Sequence, residues 1–127
     1  MTHGHTGISR LLEDPAYARA ASETLQALGT PSRLRILAFL NVAPAAVGEI
    51  ADAVGMEASA VSHQLRMLRH LGLVVGQRRG RHVVYELHDH HVAELLGQAV
   101  GHVEHLRQGN EPVGTEAFDG VSTTTRG

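Results

Sequence analysis

Asp89, His91, His102 and His105 are the residues of this chain best suited to chemistry, and all four fall in the stretch DHHVAELLGQAVGHVEH. One carboxylate and three imidazoles form an oxygen and nitrogen donor set of the kind that holds a divalent metal ion. The stretch reads as a single amphipathic helix, with histidines crowded at both ends and absent from its middle. Histidine is a poor helix former, and packing gives no reason for such a distribution. At about 1.5 Å and 100° per residue, His102 and His105 are near enough to share an ion, whereas His91 stands roughly 16 Å from His102 along the axis. Zinc–nitrogen bonds are only about 2 Å long, so one helix cannot close the site. Two antiparallel copies can. The Asp89/His91 end of one then meets the His102/His105 end of the other, with the dyad near Gly97 and with Gly101 one turn on. Leu95, Leu96, Ala99, Val100, Val103 and Leu106 supply apolar surface for such a seam. The result is two equivalent sites per dimer, each bridging the chains. His88 and His90 share the cluster and are assigned no ligand role.

The elements that must carry these residues follow from local signals. Residues 1–13 are polar and glycine-rich and read as a flexible N-terminal arm. DPAYARAASETLQALG opens with Asp14 as a cap and Pro15 at the first helical position, and closes on Gly29. TPSRLRILAFLN repeats that grammar with Thr30 and Pro31. A short helix, AVGEIADAVG, ends at Gly55, and a stronger one, SAVSHQLRMLRHLG, has Val61, Leu65, Leu68 and Leu71 on one face and stops at Gly72. The period then changes. LVVGQRRGRHVVYELH is β-branched on both sides of a turn at Gly80 and predicts a hairpin. The histidine-ended helix follows, and residues 108–127 lack periodicity and read as a disordered tail. The domain is therefore expected over residues 14–107. It is mainly α with a small β-hairpin: a winged helix-turn-helix of about five helices plus a wing, dimerising through its first and last helices.

Composition narrows the function. There is no cysteine, which excludes disulfides and thiolate metal sites. No apolar run has the length of a membrane span and no signal region opens the chain, so a cytoplasmic protein without a membrane partner is expected. The formal net charge of −2 hides an uneven distribution. Between Ser59 and His82 stand Arg66, Arg69, Arg78, Arg79 and Arg81 and no acidic residue. A basic block in an acidic chain points to a polyanionic partner for one face.

A helix, a tight turn, a second helix and a hairpin place that block on a DNA-reading surface. The second helix enters the major groove with its N-terminal residues at the base edges. Those residues are Ser59, Ser62, His63 and Gln64, with Arg66 and Arg69 in reach of bases or phosphates. Arg78, Arg79 and Arg81 at the hairpin tip suit phosphates or a narrow minor groove. Tyrosine and phenylalanine together number only four, too few for a stacking platform, which argues against RNA or single strands. An enzyme is not expected: Glu104 lies near the histidines, but no activated nucleophile accompanies it.

TPSRLRIL, ASAVSHQLRMLRHLGLV and RRGRHVVYEL resemble the ArsR–SmtB family of winged-helix metal-sensing repressors, over roughly Leu25 to Arg107. The spacing of Asp89, His91, His102 and His105 is similar to that family's site on the last helix. The resemblance implies a dimer on double-stranded operator DNA that metal binding releases. Within the family the chain looks most like the nickel/cobalt-sensing branch, whose members add N-terminal ligands to the helix site. Here the chain begins MTHGH, so His3 and His5 are the candidates, joined by the Thr2 amine once the initiator Met is removed. The departures from that branch are Thr2 in place of glycine and the additional His5. Four helix ligands suffice for tetrahedral zinc, whereas nickel(II) and cobalt(II) take up to six, so an arm that adds ligands would discriminate by coordination number. A zinc-responsive repressor using the helix site alone, and a winged-helix repressor with no metal response, remain the alternatives.

Overall fold

Asp14 and Thr30 act as the sequence grammar requires. In the computed structural model, which describes residues 3–109 and side chains from Gly7 onward, Asp14 Oδ1 accepts from the backbone N–H groups of Ala16 and Tyr17 at 3.0 and 3.2 Å. This starts helix α2 (Pro15–Ala27). Thr30 Oγ1 accepts from the Arg33 N–H at 3.4 Å and starts α3 (Pro31–Val42). In both helices proline occupies the first turn, where its missing N–H costs nothing. Helix α4 (Val47–Val54) is held at its start by Glu49, which accepts from the Ala46 N–H at 2.9 Å. It stops at Gly55, whose φ of 70° is left-handed and favours glycine. Helix α5 (Ala58–His70) follows after a short turn.

The core lies among these helices. Ile36, Leu37 and Leu40 of α3, Ile50 and Val54 of α4, and Val61, Leu65 and Leu68 of α5 are buried. On α5 the buried set recurs at i, i+4 and i+7, so the opposite face is left to solvent.

The hairpin pairs β2 (Val74–Arg79) with β3 (His82–Leu87) in an antiparallel register that runs from Val74 opposite Leu87 to Arg79 opposite His82. Gly80, at a φ of 63°, and Arg81 form the two-residue tip. A third strand, β1 (Ala45–Ala46), pairs with the other side of β3 and completes a sheet of order β1-β3-β2. It was not read from the sequence, because a two-residue strand is defined only by its distant partner.

Another difference lies at the N-terminus. Where the sequence predicts a flexible arm, the structure has a helix, α1 (His3–Glu13), so the first helix expected from the sequence is α2. Leu11 and Leu12 lie one turn on from Ile8 in α1. Arg10 joins α1 to α2: its guanidinium is 3.5 Å from the Asp14 carboxylate and lies 4.4 Å from the centre of the Tyr17 ring. Early glycines and polar residues hid this short helix from a reading by periodicity. The expected tail, from residue 110 onward, lies outside the described residues, as do Met1 and Thr2.

The chain divides into two compact units, the winged-helix body up to Val92 and a second unit from Ala93 onward. Helix α6 (His90–Arg107) begins in the first and supplies the second. Among the described residues no helix is long and apolar enough to cross a membrane.

Candidate nucleic-acid interface and metal-ligand helix

The outer face of α5 carries the residues expected to meet DNA. Ser59, His63, Arg66 and Arg69 are exposed, and Ser62 and Gln64 are half-buried at the border of the apolar stripe. Gln64 is not free: its Oε1 accepts from Arg33 Nε at 2.6 Å. Arg78, Arg79 and Arg81 are exposed at the hairpin tip. Arg79 donates to Gln77 Oε1 at 3.3 Å. Arg10, His88 and His91 form ion pairs with Asp14 or Asp89, and none of the described carboxylates pairs with an arginine of α5 or the wing. Among the described residues, the arginines of α5 and the wing thus carry charge that no carboxylate neutralises, which suits a phosphate-binding surface.

The start of α6 is built around Asp89. Its Oδ1 accepts from the backbone N–H groups of His91 and Val92 at 3.0 and 3.4 Å, which caps the helix. His88 Nδ1 hydrogen-bonds Oδ2 at 2.9 Å. That bond from His88 holds the Asp89 carboxyl below the usual carboxylate value, helped by the two backbone donors and the nearby His91. His91 Nδ1 lies 3.5 Å from Oδ1. Asp89 and His91 are therefore side by side, ionised oxygen next to imidazole, and both are exposed. A carboxylate offers about four lone pairs and the observed bonds leave one over, so Asp89 can cap the helix and still ligate. His88, to which the sequence alone assigns no role, orients the carboxylate, as only the folded geometry at the helix start reveals.

At the other end of α6, His102 and His105 are exposed on successive turns. Among the described residues no three His, Cys, Asp or Glu side chains gather where one ion could be held. Between the two ends, a Cβ added to Gly97 or Gly101 would meet nothing within 4 Å. Val100, Val103 and Leu106 are half exposed or more. Leu96, counted toward a seam in the sequence, is buried in the single chain. His3 and His5 fall in the first turn of α1, and their side chains lie outside the described residues.

Comparison with known proteins agrees with this architecture. Residues 30–75 match the family model described as "Bacterial regulatory protein, arsR family". Over 112 residues the chain is 57% identical to the HTH-type transcriptional regulator NmtR of Mycobacterium tuberculosis, covering 86% of this chain and 92% of that one. It is 41% identical over 87 residues to a transcriptional repressor SmtB homolog of Synechocystis, covering 68% of this chain and 66% of the relative. The solution structure of apo-NmtR superposes with a TM-score of 0.65 at 54% identity, covering 83% of this chain and 88% of that one. A "homodimeric winged helix-turn-helix DNA-binding domain" from Mycobacterium bovis gives a TM-score of 0.70 at 31% identity, over 77% of this chain and 92% of that one.

Proposed function

The chain belongs to the ArsR family of bacterial regulatory proteins, and on that premise we propose that it is a dimeric, metal-released repressor: it binds a palindromic operator and leaves it when nickel or cobalt binds. Its relatives are transcriptional regulators rather than enzymes. The observation that supports the metal reading is the placement of candidate ligands at the two ends of one unbroken helix. Asp89 and His91 stand at the start of α6, His102 and His105 near its end, and bare glycines with exposed apolar side chains lie between. A second copy laid antiparallel on α6 would join the half-sites and cover the apolar residues. Leu25 of α2, the other expected dimer helix, is 60% exposed.

The residues divide the work. Asp89, His91, His102 and His105 would hold the ion, and His3 and His5 would raise the ligand number for nickel or cobalt. The ion would supply a cross-link between chains. Ser59, Ser62, His63 and Gln64 would face base edges in the major groove, and Arg66, Arg69, Arg78, Arg79 and Arg81 would hold phosphates or the minor groove. In the dimer, the two α5 helices would sit about 34 Å apart, one DNA turn. Release requires that the metal-bound dimer favour the free conformation over the DNA-bound one; binding equally to both would shift nothing.

Sedimentation combined with gel shifts tests the proposal. The full-length chain should sediment as a dimer at micromolar concentration and shift a duplex carrying its own upstream region. Nickel(II) or cobalt(II) should abolish that shift. A monomer, or a shift that no divalent metal alters, would contradict it.

A further inference from the structure

Arg33 is 31 residues from Gln64 in the chain, yet it holds that residue, one of those assigned to DNA. The Thr30 cap fixes Arg33 in the first turn of α3, and from there its Nε donates to Gln64 Oε1 at 2.6 Å. Its Nη2 lies 3.7 Å from the Met67 sulfur, one turn further along α5. Both Arg33 and Gln64 are half-buried. A guanidinium has five donors and no acceptor, so only the carbonyl branch of the Gln64 amide can face it. The amide is planar, and the Nε2 branch consequently diverges from the guanidinium. Among the described residues no other hydrogen bond engages the Gln64 side chain.

We infer that Arg33 is a positioning residue for recognition: it holds Gln64 as a hydrogen-bond donor, so that Gln64 selects an acceptor on the base edge it meets, guanine before adenine. The inference rests on the proposed reading of α5 as the helix that meets base edges. A free glutamine reads adenine with both branches, accepting from N6 and donating to N7. With Oε1 turned back to α3, that two-pronged contact is broken. Guanine presents O6 and N7, both acceptors, to the remaining donor. Cytosine presents a donor and is the poorest match.

The test uses the full-length protein and duplexes selected from a randomised library. Selection with Gln64→Ala identifies the half-site position at which preference disappears. At that position wild type should take guanine. Arg33→Met keeps the apolar stem but frees Oε1. It should move the preference to adenine, changing the guanine/adenine affinity ratio roughly tenfold by fluorescence anisotropy. An Arg33→Met protein that keeps the guanine preference, or weakens equally for all four bases, would overturn the inference. The second result would make Arg33 a phosphate contact or a packing residue. Gln64→Glu is an independent variant at the half-buried helix border: it can still engage Arg33 but has no donor. It should lose guanine and gain cytosine, and retention of guanine would equally overturn the inference. If wild type selects no sequence at all, the DNA-binding reading falls and takes this inference with it. An unmoved Arg33→Met profile beside a selective wild type removes the inference alone.

Discussion

Removing two wing arginines should change the salt dependence of DNA binding by an amount that can be worked in advance. Arg78 and Arg81 are exposed at the hairpin tip and take part in no ion pair among the described residues. Each is therefore free to displace a counterion from a phosphate. Every such contact contributes about −0.9 to the slope of log K against log salt. In a dimer, Arg78→Ala with Arg81→Ala removes four contacts, two from each protomer, so the slope should become shallower by about 3.6. Between about 50 and 200 mM salt, wild type should then lose about 150-fold more affinity than the double variant. Anisotropy titrations of a labelled operator at four or five salt concentrations read this directly. The loss should be the same on unrelated duplexes, because phosphates carry no sequence. Gln64→Ala, by contrast, should leave the slope unchanged while narrowing the gap between operator and unrelated DNA. A double variant with the wild-type slope would refute the assignment of the wing to phosphates.

Leu65→Ala, in the fully buried face of α5, should lower stability by about 2–5 kcal/mol in denaturant unfolding, as expected for a large-to-small core change; a loss below 1 kcal/mol would contradict the burial. The Asp89 carboxyl, held below its ordinary 3.8 mainly by His88, favours the folded state above that value and loses this contribution as pH falls through its lower folded pKa. Its NMR titration midpoint should lie below 3.8 and rise toward it in His88→Ala. Joint replacement of His3 and His5 by alanine should spare zinc binding while abolishing nickel- or cobalt-driven release. It should also intensify the visible spectrum of bound cobalt(II), since four-coordinate cobalt absorbs more strongly than six-coordinate. An unchanged, intense spectrum in both proteins would assign the ion to the helix ligands alone and favour zinc.

Local chemistry was legible in the sequence wherever neighbours decide the structure. Asp14 with Pro15 and Thr30 with Pro31 announced two helix starts, Gly55 and Gly80 marked a helix end and a turn, and the spacing of Val61, Leu65 and Leu68 identified the buried face of α5. Features defined by distant partners were not legible. Strand β1 exists through Tyr85 and Val84 of β3. The Arg33–Gln64 bond spans 31 residues, and neither residue's type foretells the other. Helix α1 carries glycines of weak helix propensity, and its Arg10 contacts to Asp14 and Tyr17 join it to α2. In the candidate site, the residue types and their spacing are plain in the sequence, whereas the bond by which His88 orients Asp89 needs the turn geometry before α6.

Mixing two variants, each defective at a different end of α6, tests the central claim most directly. One carries Asp89→Ser and His91→Ala, serine being retained as a helix cap; the other carries His102→Ala and His105→Ala. If the half-sites complete each other between chains, neither protein alone should leave its operator on addition of nickel(II) or cobalt(II). After the two are mixed and allowed to exchange subunits, each mixed dimer should hold one intact site, and metal should release that fraction from the DNA. A mixture as unresponsive as its parents, or a parent released at wild-type metal concentrations, would contradict a site shared across the dimer.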